Sequence, residues 1–238
     1  MRPVLIVTHL PDRHAGLVPD ALRAAGCGVV TRNLEDGEGL PSLREISGIV
    51  SLGGRQSATD PDGDPFIADE VALMRDALRH DVPVLGMCLG AQLLAVAAGG
   101  TVVKAGRMYT GWPDLVVSPD AADDPVFGAL PPRLPVLKWH EDVVAQLPAG
   151  GRVMASSEGP GAALFRVGAS GWGSQPHLEL TSGMLVDGWL ADPAEAADVV
   201  AAGHDLDEFR ARSRELLVGQ VAAARPMFEA FGRIAASP

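Results

Sequence analysis

The sequence predicts an α/β protein built on a mainly parallel sheet with helices on both faces, and two observations carry that prediction. Short apolar, β-branched runs alternate with stretches of helical spacing up to about residue 100. The runs are apolar nearly throughout, as strands covered on both faces must be. Residues 4–8, between Pro3 and the turn-rich Pro11-Asp12-Arg13, read as a buried strand opening the domain. Residues 17–25 have helical spacing and stop at Gly26; residues 28–31 form a second strand and residues 46–52 a third, running into Gly53-Gly54. The polar loop Asp60-Pro61-Asp62-Gly63-Asp64-Pro65 ends in a helix start, with Asp64 as N-cap and Pro65 at the first helical position. Residues 66–79 follow as a helix with Ile67, Val71, Met74 and Leu78 on one stripe, and a fourth strand, 82–87, feeds straight into a helix over 88–98. Beyond it the runs shorten and turns multiply until about Thr181, which predicts a mixed or antiparallel extension of the same sheet. From Pro193 onward two helices are expected, the second covering 206 to about 236. The chain is thus divided into an α/β domain over 1–190 and a helical extension over 191–238 packed on the same domain.

Composition narrows the function. Of 238 residues, 47% are apolar, enough for a sizeable core and too many for disorder. Nineteen basic against thirty acidic residues leave a net charge of −11 with no basic stripe, which argues against nucleic acid and against an anionic membrane surface. Two cysteines, Cys27 and Cys88, make neither a disulfide framework nor a zinc site. The opening apolar run is too short for a signal peptide, and the stretch 85–98 is broken by glycines and carries Gln92. A cytoplasmic protein without metal or cofactor is expected. The acidic cluster Asp60/Asp62/Asp64 is a solvated loop, because Pro65 and Val71 stand where a calcium loop needs Gly and Glu.

The sharpest feature is Gly86-Met87-Cys88-Leu89-Gly90-Ala91-Gln92. A strand ends and a helix begins at the cysteine, with glycine two positions to either side, the pattern of a nucleophile elbow. Side chains at the flanking positions would collide with neighbouring backbone, and the strained turn exposes Sγ at the carboxyl edge of the sheet. The helix start favours a thiolate. Cys27, in Ala-Ala-Gly-Cys-Gly-Val-Val, reads instead as a small buried hydrophobe.

A nucleophile needs a base. His9, His14, His80 and His204 occupy loop, helix-end or unpatterned positions suited to solvated or capping roles. His177, in Gly173-Ser174-Gln175-Pro176-His177-Leu178-Glu179, shares a face with Glu179 in an extended chain, so the acid can orient the ring. His140, in Lys138-Trp139-His140-Glu141-Asp142, has Asp142 at the same spacing and stays a rival base.

These segments together resemble a known family, the class I (triad) glutamine amidotransferases, in particular the stand-alone group similar to the amidotransferase domain of GMP synthase. Ser51-Leu52-Gly53-Gly54 resembles the glycine pair ending strand three, residues 83–95 the nucleophile segment, and Trp139-His140-x-Asp142 with Leu147-Pro148 the Trp-His-x-Asp…Leu-Pro loop. Gln175-Pro176-His177-Leu178-Glu179 stands in place of Gln-Phe-His-Pro-Glu. The resemblance runs from about residue 4 to residue 190 and implies a flavodoxin-like, doubly wound fold. It further implies that Cys88 attacks the glutamine side-chain amide, that His177 shuttles the proton and that Glu179 orients it. Backbone N–H groups of Gly54 and Leu89 would hold the oxyanion. Gln92, Gly53, His140 and Asp142 would belong to the substrate pocket. The sequence departs from the pattern at Arg55, where proline is usual, at Pro176 and Leu178, and at Met108-Tyr109-Thr110-Gly111-Trp112, which lacks a glutamate before Gly-Trp. Arg55 is open between a surface charge and a ligand for a substrate carboxylate.

Three functions are weighed on this basis. The first is a glutaminase supplying ammonia to a separate synthetase, since the sequence has no phosphate-binding Gly-rich loop. The second is a self-sufficient hydrolase of γ-glutamyl amides or conjugates, and the third a non-enzymatic interaction protein on the same scaffold. The apolar stripe Phe209, Leu216, Val221, Phe228 and Phe231 is either core or, with Arg210, Arg212 and Arg214 at its rim, a contact for a second copy or the synthetase.

Overall fold

The computed structural model describes residues 2–10, 15–60 and 63–237. The turn predicted at Pro11-Asp12-Arg13, the reading of His14, and Pro61 and Asp62 of the polar loop lie outside the described residues.

β1 (Val4–His9), α1 (Val18–Ala24), β2 (Val29–Asn33), β3 (Gly48–Gly54), α2 (Pro65–Arg79), β4 (Val84–Met87) and α3 (Leu89–Ala97) follow one another as the alternation predicts. The next elements are β5 (Thr101–Gly111), β6 (Asp114–Val117), β7 (Arg133–Pro135), β8 (Lys138–Gln146), β9 (Arg152–Ser157), β10 (Leu164–Val167) and β11 (Gly171–Ser174). The chain then turns helical in α4 (Ser182–Leu185), α5 (Pro193–Ala201) and α6 (Leu206–Ala236).

Among the described residues one sheet has the strand order β2-β1-β3-β4-β11-β10-β9-β6-β7. Its first five strands are mutually parallel, and β10, β9, β6 and β7 continue it antiparallel. Strand periodicity decides which helix each residue meets. Val4 and Ile6 join Val18, Leu22, Phe228 and Phe231 of α1 and α6 on one face. Leu5 and Val7 join Ile67, Met74 and Leu93 of α2 and α3 on the other. Continuous apolar strands therefore follow from two helical layers.

The structure corrects two local expectations. The antiparallel extension is not all one sheet: β5 and β8 pair with each other in a separate two-stranded ribbon. β5 carries Lys104 and Arg107 and is largely exposed, so it lacks the apolar faces that a covered strand needs. Asp64 occupies the N-cap position of α2, yet its side chain makes no capping bond; the helix start rests on Pro65, whose fixed φ suits the first turn. The phenylalanines of the α6 stripe follow the core alternative, while Leu216 and Val221 stay half-buried. Phe228 and Phe231 are fully buried, Phe231 meeting the Trp172 ring edge-on at 6.0 Å, and Phe209 is buried against a third cluster with Trp139, Leu180 and Leu190. Cys27 is buried as expected, its thiol donating to the Gly232 carbonyl at 3.1 Å and pushed up by burial. Among the described residues no helix is long and apolar enough to cross a membrane.

Candidate active site

β4 delivers Cys88 to the carboxyl edge of the sheet, and α3 starts at the next residue. Cys88 has φ +50° and ψ −108°, a left-handed backbone that costs a non-glycine residue on the order of 1–3 kcal/mol. The sterics at its flanks account for both glycines. A Cβ on Gly86 would lie 2.3 Å from the Gly90 carbonyl oxygen, and one on Gly90 would lie 2.3 Å from that of Ser51. The Cys88 N–H donates to Ser174 O at 2.8 Å, tying the elbow to the end of β11.

The same strand end presents His177. Its N–H donates to Leu137 O at 2.9 Å, and its carbonyl accepts from Gln220 Nε2 of α6 at 2.9 Å. Gln220 thereby anchors the histidine segment from the C-terminal helix, a role no local pattern announces. The His177 Nδ1 lies 2.7 Å from Glu179 Oε1, with both side chains buried. Because a carboxylate can only accept, Nδ1 carries the proton. Burial opposes a charge on this ring, but the hydrogen-bonded Glu179 carboxylate and the nearby Cys88 sulfur, whose thiol donates to the Trp139 carbonyl at 3.7 Å, hold the imidazole well above its usual range. The Trp189 ring closes over it edge-on at 5.1 Å. Gly16 lets the loop before α1 pass over Glu179, since a Cβ there would come within 1.9 Å of the Glu179 carbonyl oxygen, and its φ is +55°.

His140 differs from this arrangement. Its Nδ1 donates to the backbone carbonyl of Asp142 at 3.0 Å, not to the carboxylate, which takes the Ser57 hydroxyl at 2.5 Å. The ring stacks on Tyr109 at 5.7 Å. Burial, with Lys138 and His177 nearby, pushes it down to about 3. It is a neutral wall residue.

Gly53, Gly54, Leu89 and Gln92 converge on the same place. A Cβ on Gly53 would lie 2.8 Å from His177 Cε1 and 3.6 Å from Cys88 Cβ, so a side chain there would push the two apart. Gly54 lines the pocket, and Leu89 opens α3, where helical N–H groups lack intrahelical partners. Gln92 donates from Nε2 to the Asp142 carbonyl at 2.8 Å. The cavity in front of Cys88 measures about 740 Å³. Part of its wall comes from Trp189, Asp192, Glu195 and Asp198, residues that no sequence motif singles out. Arg55 is an exposed charge at the edge of the pocket, where it pairs with Glu195 at 2.5 Å and Asp192 at 3.5 Å. His80 and His204 have exposed, carbonyl-bound rings as expected. His9 is corrected, being fully buried against Glu70.

The chain is similar to known proteins in both sequence and fold. The sequence profile of class-I glutamine amidotransferases matches residues 16–193. A subunit of the glutamine-hydrolysing GMP synthase of Haloarcula marismortui is 35% identical over 174 residues, covering 73% of this chain and 80% of that one. The corresponding protein of Natronomonas pharaonis is 38% identical over 151 residues, 63% of this chain and 70% of its own. That of Halobacterium salinarum is 38% identical over 129 residues, 54% of this chain, and only 63% of its own length is spanned. A glutamine amidotransferase from Thermotoga maritima superposes with a TM-score of 0.81 at 26% identity, covering 99% of both chains. A second, from Methylobacillus flagellatus, gives 0.80 at 26% identity over 98% of this chain and 94% of that one. The C-terminal helices, which lie almost wholly beyond the profile match, are thus part of the architecture these two structures share with it. With that profile matching residues 16–193, the larger part of the chain, the protein belongs to the class-I glutamine amidotransferases.

Proposed function

We propose that the protein hydrolyses a γ-glutamyl amide through Cys88, His177 and Glu179, with glutamine as substrate and ammonia as the product passed to a separate acceptor enzyme. The observation that carries this reading is the convergence of the strained Cys88 elbow with a buried imidazole oriented by Glu179. Cys88 gives its proton to His177 and its sulfur attacks the γ-carbonyl carbon. The carbonyl oxygen becomes an oxyanion, for which the N–H groups of Gly54 and Leu89 are the proposed donors. As the C–N bond breaks, His177 returns the proton to the leaving nitrogen, and ammonia departs. Water then attacks the thioester, giving a proton to His177; the C–S bond breaks, the sulfur recovers a proton, and glutamate leaves. Glu179 keeps the ring in one tautomer and offsets its charge throughout. The three relatives from Haloarcula, Natronomonas and Halobacterium are named as parts of a glutamine-hydrolysing GMP synthase, which supports an ammonia-donating role beside a synthetase. A free thiol nucleophile fits a reducing cytoplasm.

A second reading is favoured by one observation. About 740 Å³ is room for a ligand larger than one amino acid, so a γ-glutamyl conjugate with a bulkier leaving amine also fits. Assaying glutamate release from free glutamine and from a panel of γ-glutamyl amides decides between them. Turnover of glutamine that rises when an acceptor synthetase is added supports the first. Turnover confined to conjugates replaces it with the second, and activity surviving in Cys88→Ala removes both.

A further inference from the structure

A second His–Glu pair lies inside the molecule, outside the chemistry described so far. His9 ends β1 and Glu70 lies in the middle of α2; His9 Nε2 and Glu70 Oε2 are 2.7 Å apart, and both side chains are 0% exposed. Neither lines the pocket. A buried ion pair is poor value for stability alone, because desolvation offsets most of its attraction. Its surroundings give it another role. The ladder between β1 and β3 shifts register after Val7, so that His9 stands opposite Gly54. His9 Cβ is only 2.6 Å from where a Gly54 Cβ would sit. Burial opposes the protonated form of the ring, but Glu70 and the nearby carbonyls of Gly53 and Leu52 together outweigh it. The end of β3 is therefore flanked by two imidazoles, His9 against Gly54 and His177 against Gly53.

The glycine pair creates a problem that this contact answers. Gly53 and Gly54 must lack side chains to admit His177 and Leu89, and glycines are the residues least able to hold their own backbone in one conformation. An oxyanion donor, however, acts only when its N–H is preset toward the developing charge. Leu89 has the helix to hold it; Gly54 does not. We propose that the buried His9–Glu70 pair is a positioning unit for the Gly53–Gly54 backbone, presetting the Gly54 N–H as an oxyanion donor. His9 packs on the strand from behind, and Glu70 fixes the ring from α2. This inference rests on the proposed role of Gly54 in amide hydrolysis.

The test compares two reactions of one sulfur. Hydrolysis passes through an oxyanion, whereas alkylation of Cys88 by iodoacetamide displaces iodide at a saturated carbon and forms none. Glu70→Gln keeps the side-chain volume and an oxygen acceptor, and His9→Gln removes the ring. In folded Glu70→Gln, kcat should fall about 10- to 100-fold, with KM and the Cys88 alkylation rate each within about threefold of wild type. His9→Gln should fall at least as far. If His9→Gln does not fold, Glu70→Gln decides alone; should that also unfold, the pair is a stability element and the proposal is overturned. Unchanged kcat in folded Glu70→Gln overturns it too, as does an alkylation rate that falls in step with kcat, since the pair would then act on the nucleophile. Wild-type protein lacking Cys88-dependent turnover would instead defeat the underlying reading, a result visible before either variant is measured.

Discussion

His177 and His140 border the same cavity, both buried, both with an acid two residues further on, and the structure treats them oppositely. At 177 the acid's carboxylate reaches the ring, at 2.7 Å. At 140 the ring takes the backbone carbonyl of Asp142, while the carboxylate is drawn to Ser57. One imidazole is therefore raised well above its ordinary range by Glu179 and Cys88 against the effect of burial, and the other is pushed by burial to about 3. The lesson concerns i, i+2 spacing. It puts two side chains on one face, but which acceptor the ring meets, carboxylate or carbonyl, decides whether a buried histidine is favoured charged or neutral.

The largest expected effect would break the comparison outright if reversed. His177→Asn should lower kcat by about 10³- to 10⁴-fold, because the sulfur loses its proton acceptor and the leaving nitrogen its donor. His140→Asn should change kcat less than about tenfold and act chiefly on KM. Steady-state kinetics on both variants reads this directly. Next in size, Glu179→Gln should cost about 10² in kcat, as the base survives but loses its orienting charge, whereas Asp142→Asn should cost far less.

Stability against pH sharpens the contrast. His177 gains its partner on folding, so its contribution is complete below about pH 6.5 and is lost as pH rises through the elevated folded value. His140 works the other way: below about pH 6.5 the unfolded chain takes up a proton that the native ring refuses until about 3, so stability is lost as pH falls. Each can contribute a slope of up to about 1.4 kcal/mol per pH unit. Urea midpoints at several pH values should show Glu179→Gln flattening the alkaline side and His140→Gln the acid side. The smallest effect belongs to Arg55→Ala. Its pair with Glu195 is more than half exposed on the arginine side, and thermal unfolding should register less than about 1 kcal/mol.

What was legible in the sequence is what short-range sterics and periodicity dictate. Gly86 and Gly90 announce the elbow because their clashes arise within a few residues and with the adjacent strand. The α6 span is readable from composition, and its phenylalanines from their spacing. His9 and Glu70 are 61 residues apart on different elements, and nothing local marks either as a partner of the other. The ribbon β5–β8, the Gln220 anchor and the Trp189 and Glu195 wall are likewise products of tertiary packing. Asp142 was legible as a neighbour of His140, but not the turning of its carboxylate to Ser57, which comes from another loop.

The most direct measurement stops the reaction midway. Wild-type protein mixed with its substrate, quenched in acid within milliseconds to seconds and digested, should yield a γ-glutamyl adduct on the peptide bearing Cys88. The Cys27 peptide should stay unmodified, and Cys88→Ala should give neither adduct nor turnover. An adduct on another residue, or substrate hydrolysis by Cys88→Ala at the wild-type rate, would contradict the assignment of Cys88, His177 and Glu179.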